Sequence, residues 1–197
     1  MLIKDYIEAK SNIEIILRER GKIVGRRETH NIFPDIGQEW LAKLICGEST
    51  DIINMMGPGI GGSKQNNSIV DAAPLSTSYP TIGAHSQTDT DMGVTALERA
   101  VAVSSASLPI TPGDDVWLKV SSPPSHPAPN RTRFICVFSE LDISFSPFTI
   151  VPVSELGLFT REKNPLIRTN TFVAYDTFAP IPKTTALTLE IRWTVIF

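Results

Sequence analysis

The stretch LTLEIRWTVIF, residues 187–197, decides the fold class. Leu187, Leu189, Ile191, Trp193, Val195 and Phe197 take every second position, and Thr188, Glu190, Arg192, Thr194 and Ile196 fill the others. A period of two over this length specifies an antiparallel strand with one buried face. The same period recurs upstream. Ile13, Ile15 and Leu17 alternate with Asn12, Glu14 and Ile16, a polar Glu19-Arg20-Gly21-Lys22 turn follows, and Ile23-Val24 opens a return strand, so residues 12–30 read as a β-hairpin. Further strands are expected at 99–104 (Val101, Val103), at DVWLKV (Val116, Leu118, Val120) and at TRFICVF (132–138), the last apolar enough for burial on both faces or in the core. SELGLFT (154–160), after a proline-punctuated turn, and Phe172–Phe178 complete the set.

Residues 35–46 carry a helix signal. Ile36, Trp40, Leu41, Leu44 and Ile45 form one apolar stripe, Asp35 and Gln38 have capping-box spacing, Pro34 stops the preceding strand, and Gly47 suits a C-cap. The expected fold is mainly β: an antiparallel, jelly-roll-like β-sandwich with one short packed helix and long loops. Residues 1–12 are expected to be an N-terminal arm and 13–197 a single domain, with an extended low-charge loop at about 63–93. The segment SSPPSHPAPN (121–130) holds four prolines and cannot be a central strand.

Composition narrows the function classes. The 197 residues are 42% hydrophobic and 20% charged, with 18 Lys plus Arg against 21 Asp plus Glu and a net charge of −3. A core is available, 15 Pro and 12 Gly favour many turns, and no cationic excess points to nucleic acid. The N-terminal residues lack the apolar run of a signal peptide, and no stretch is long and apolar enough to span a bilayer, so synthesis in a cytoplasm is expected, with no membrane partner. Cys46 and Cys136 have no metal-ligand spacing and read as two small buried hydrophobes.

Catalytic patterns are weak. GPGIGG (57–62) matches a dinucleotide-loop pattern formally, but SKQNNS after it is not helical, so a glycine turn is the reading preferred. Asp89 and Asp91 form a lone D-x-D pair, and His30, His85 and His126 have no ligand partners at useful spacing. No catalytic, cofactor-binding or metal-ligating residue is therefore assigned, and no cofactor is expected. The basic hairpin residues Arg18, Arg20, Lys22, Arg26 and Arg27 read as a solvated face or as contacts to an acidic partner surface. Tyr79, Trp117 and Tyr175 are aromatics that would stack on a sugar if they are not core or interface residues.

Three segments in order resemble a family of small tailed-bacteriophage virion structural proteins. The first is HNIFPDIGQEWLAKLICG, through Asn31, Asp35, Gly37 and Leu41, and the second is TALERAV (95–101). The third runs from SELGLFT to the C-terminus, through Glu155, Gly157, Leu158, Phe159, Thr177, Phe178, Pro180, Ile181, Lys183, Thr184, Trp193 and Phe197. The long 63–93 insert and the proline-rich 121–130 stretch depart from the simplest members. The resemblance implies a non-enzymatic β-sandwich module of the virion: a capsid decoration or cement protein, or alternatively a tail, neck or baseplate component. It implies a homo-oligomer, a trimer, joined to the major capsid protein or other virion proteins. Lys4, Tyr6, Arg18, Arg20, Lys22, Arg26, Arg27 and Tyr79 are the expected partner contacts, and Asp35, Gly37, Trp40, Glu155, Gly157, Phe159, Phe178 and Trp193 the expected fold-defining residues.

Overall fold

The computed structural model describes residues 10–30, 33–49, 51–61, 81–82, 97, 100–104, 119–144, 149–161 and 172–197. Its elements are β1 (Lys10–Glu19), β2 (Lys22–His30), α1 (Asp35–Ile45), β3 (Ile52–Gly59), β4 (Thr81–Ile82), β5 (Ala100–Val101), β6 (Lys119–Val120), β7 (Ser125–Ala128), β8 (Arg131–Phe138), β9 (Ile150–Arg161), β10 (Phe172–Thr184) and β11 (Leu187–Ile196). They build two antiparallel sheets, as the periodicity predicts. The first runs β2-β1-β11-β8-β7; the second runs β10-β9-β3-β5-β4, with β6 also paired to β3.

The hairpin forms where expected. Arg20 (φ 49°) and Gly21 (φ 80°) make its tight turn, two successive left-handed residues that match the twist of the flanking strands. β1 begins earlier than expected: Lys10, Ser11 and Asn12 pair with Ile196, Val195 and Thr194, so these three belong to the sheet and not to an arm. Residues 1–9, with Lys4 and Tyr6, lie outside the described residues, as does most of the 63–93 loop apart from β4.

The main core lies between the sheets. Ile13, Ile15, Phe134, Cys136, Leu189, Ile191, Trp193 and Val195 meet Met56, Val151, Val153, Leu156, Leu158 and Ile181. Trp193 is fully buried and its indole N–H donates to Ser11 Oγ at 2.9 Å. A second cluster, Met55, Leu97, Phe159, Phe172 and Tyr175 with Ile36 against it, covers the other face of the second sheet. The neighbours Met55 and Met56 thus point into different cores, and this sheet is apolar on both sides.

Helix α1 lies on β10 through Gly37 and Trp40, both buried. The approach is backbone to backbone: a Cβ on Gly37 would sit 2.0 Å from the Val173 carbonyl oxygen. Three helix expectations are corrected. The N-cap residue is Pro34, with no side-chain cap; Asp35 is the first helical residue, where its charge suits the positive helix end, and Gln38 donates to Phe33 O instead of closing a capping box. Gly47 (φ 76°) follows the Cys46 C-cap in a Schellman arrangement, with Gly47 N–H on Leu44 O and Glu48 N–H on Lys43 O. Leu44 and Ile45 are exposed because the second sheet covers only the first two turns of the stripe.

Three strand expectations also change, and a fourth holds. Gly57-Pro58-Gly59 is not a turn but the end of β3, paired with Gly157, Leu156 and Glu155 of β9. β8 buries one face only: Phe134, Cys136 and Phe138 point in while Val137 is exposed. β9 and β10 are longer than expected and run through Pro152, Pro180 and Pro182. The proline-rich stretch supplies β7, a short exposed edge strand on β8, the place where proline is tolerated in a sheet. Cys46 is exposed, and only Cys136 is the buried small residue expected of both.

Candidate functional site

Two features at one end of the first sheet each set exposed apolar side chains beside exposed charged ones. The first is the turn between β8 and β9. Asp142 N–H donates to Ser139 O at 3.1 Å, so Glu140 and Leu141 form its corner. Asp142 Oδ2 accepts from Ser139 N–H (2.6 Å), from Ser139 Oγ (2.8 Å) and from Lys119 of β6. Burial opposes ionisation of Asp142, but the hydrogen bonds from Lys119 and Ser139 outweigh it and hold the carboxyl below its ordinary range.

Lys183 fastens the same turn from inside. It is fully buried, and its ammonium donates to Glu140 O (3.0 Å), Ser144 Oγ (3.1 Å) and Thr184 O (2.9 Å). Burial lowers its pKa to about 8, with Asp142 and Glu140 pulling the other way. β8 leads into β9 through this turn and β10 leads into β11 beside Thr184, so Lys183 ties together two crossings between the sheets. Ile143 completes the lock. Its side chain is buried in the main core, its N–H donates to Val103 O at 2.7 Å, and its φ is 69°. A β-branched residue in the left-handed region is strained by about 1–3 kcal/mol, a cost met only where surroundings fix it. At the corner, Leu141 is 72% exposed, the most open large apolar side chain among the described residues, beside exposed Glu140.

The second feature is the β1–β2 tip. Between Leu17 and Arg18 the register slips: Leu17 faces Gly25 and Arg18 faces Ile23, leaving Val24 as an extra residue. The bulge turns both Ile23 and Val24 outward, 56% and 55% exposed, next to exposed Arg20 and Lys22. The remaining basic residues of the expected patch are engaged within the chain. Arg18 pairs with Glu190 at 2.9 Å, Arg26 with Glu14 at 2.7 Å and Glu28 at 3.0 Å, and Arg192 bridges Glu190 and Glu14. Arg27 donates to Ala179 O across to the second sheet. These charges form a ladder over the outer face of the first sheet, with Ile16 buried beneath their stems. Of the five basic hairpin residues among the expected contacts, only Arg20 and Lys22 stand at the tip.

Glu155, Gly157, Phe178 and Trp193, all within the segment from SELGLFT to the C-terminus, are architectural. Glu155 is fully buried; its Oε1 accepts from Gly61 N–H at 3.0 Å and its Oε2 from Tyr175 O–H at 3.4 Å. Gly59 opposite has no side chain because a Cβ there would lie 2.2 Å from Glu155 Oε1. Gly157 is required for a similar reason: Phe159 and Phe172 fill the space a Cβ would take. Phe178 and Trp193 are core residues. Tyr175 is fully buried, which removes it as a sugar platform; Tyr79 and Trp117 lie outside the described residues.

Ser144 and Lys183 have the separation of a serine–lysine dyad, and burial brings the amine toward neutral pH. Neither side chain is accessible, however, and Ser144 Oγ donates to Glu140 O at 3.5 Å. The pair acts as a clasp. Burial also raises the Cys136 thiol to about 12, which leaves it unreactive. His30 and His126 bond Asn12 and Thr132; His85, Asp89 and Asp91 lie outside the described residues. Among the described residues, no group of three or more His, Cys, Asp or Glu is placed to hold a metal ion, and no helix is long and apolar enough to cross a membrane.

The site belongs to a mainly β, two-sheet sandwich whose ordered polar residues serve mostly to fix its own turns and crossings. No family model, curated protein or solved structure matches the chain.

Proposed function

We propose that this chain is a non-enzymatic structural protein of a tailed-phage virion, and within that class a capsid decoration or cement protein that binds the shell of major capsid subunits as a homo-oligomer. One observation carries the reading. The chemically capable groups Glu155, Lys183 and Ser144 are buried and turned to joining strands and crossings, while a rigid turn displays Leu141 outside. A protein that works by contact has that distribution: a self-sufficient interior and shaped exposed apolar points. The ordered segments that resemble the virion family support it independently. In a shell, modest contacts repeated over many copies gain by avidity.

The test is the stoichiometry of purified particles by quantitative mass spectrometry. A copy number comparable with that of the major capsid protein is expected. A few copies per particle would move the chain to the tail or neck, and its absence from particles would overturn the virion reading.

A further inference from the structure

We infer that the turn carrying Leu141 and the tip carrying Ile23 and Val24 are two halves of one self-recognition surface, through which two copies of this chain pair about a two-fold axis. The features share one end of the first sheet. Glu19 at the tip lies opposite Leu187, and Phe138, just before the turn, lies opposite Leu189. The strand order β2-β1-β11-β8 therefore sets tip and turn about two strand spacings apart, roughly 10 Å.

Their chemistries are complementary. The turn offers a leucine beside an exposed carboxylate, Glu140, because the second acid, Asp142, is already engaged by Lys119. The tip offers two aliphatic side chains at the bulge beside exposed Arg20 and Lys22, with Glu19 the one acid among them, so it stays net basic. Side-by-side complementary patches fit a two-fold arrangement: opposing the two ends places each turn on the other copy's tip, so both contacts form twice. Strand addition is a poorer route. β7 is short and proline-flanked, β10 carries Pro180 and Pro182, and antiparallel self-pairing of β2 about Arg27 would oppose two arginines. The turn is also rigid before contact. Lys183, Lys119, Val103 O and the strained Ile143 fix it, so little freedom is lost when Leu141 is covered. This pairing does not depend on the virion reading, and its two-fold symmetry replaces the trimer that the family resemblance implies.

Analytical ultracentrifugation of the full chain over a range of concentrations tests it. A reversible dimer that weakens with added salt is expected. Leu141→Asp and Ile23→Asp should each raise the dissociation constant about tenfold or more, with melting curves unchanged at concentrations low enough that the wild type is also monomeric, because both positions are exposed. Glu140→Lys should weaken the dimer, and adding Lys22→Glu should restore it; this charge exchange also decides the matter if an aspartate variant folds poorly. A monomer, a trimer, or a dimer indifferent to all of these changes overturns the inference. Particle binding by a monomeric wild-type chain would sink the pairing and leave the virion reading intact.

Discussion

Glu190 and Glu155 are both glutamates in long strands, one on the outer face of each sheet, and their surroundings differ in every respect. Glu190 lies part-buried in a ladder of arginines at the outer surface, bonded to Arg18 and Arg192. Glu155 lies under a second apolar layer, on Gly61 N–H and Tyr175 O–H. The part-buried pairs of Glu190 keep some contact with water and contribute modestly, whereas a fully buried carboxyl that satisfies a buried amide is costly to remove. The outer face of the first sheet is therefore tolerant, and the same face of the second sheet is structural.

The largest expected effect follows from Glu155. Glu155→Ala should destabilise the fold by about 2–4 kcal/mol, since Gly61 N–H loses its acceptor and a void opens beside Tyr175. A chemical-denaturation midpoint close to wild type would erase the contrast between the sheets.

Lys183 at the corner comes next. Its pKa in the folded chain, about 8, lies below the ordinary 10.5. Below pH 8 both folded and unfolded chains carry the proton and the burial penalty is fully present. Between about 8 and 10.5 the unfolded chain holds more protons, so stability from this group rises with pH. Relative to Lys183→Met, the wild type should gain on the order of 2 kcal/mol across that interval. Parallel stability–pH curves for the two proteins would show that the amine stays charged inside its three acceptors.

The smallest effect belongs to Glu190→Ala. Arg18 and Arg192 hold its carboxyl below the ordinary range against the opposing effect of burial. Its contribution is present above the unfolded pKa and fades as pH falls through the folded one. Near neutrality the substitution should cost less than about 1 kcal/mol, and less again in high salt. A loss as large as that of Glu155→Ala would mean that the ladder is not a solvated surface feature.

The same contrast explains what could be read in advance. β11 and the hairpin were legible because one wet face and one dry face impose a period of two on Leu189, Ile191, Trp193 and Val195. In β9 and β10 both faces are dry, so Leu156, Leu158 and Phe159 give no alternation and the sequence pattern marks only part of each strand. The exposed end of α1 was not legible either, because its stripe continues past the edge of the sheet it covers. Gly57-Pro58-Gly59 resembles a turn by composition, but what demands a glycine at 59 is the Glu155 side chain arriving from the next strand. The turn at 139–144 escaped sequence reading for a similar reason. Lys119 and Lys183 are distant in sequence, and an isoleucine at positive φ leaves no local trace.

The chain's two cysteines are unlike: Cys46 is open at the end of α1, while Cys136 is enclosed in the core with a thiol displaced to about 12. A thiol-directed dye at mild pH therefore marks a single known spot on the native molecule without any engineered residue. That spot gives a ready optical handle for following how copies of the protein meet one another or a particle.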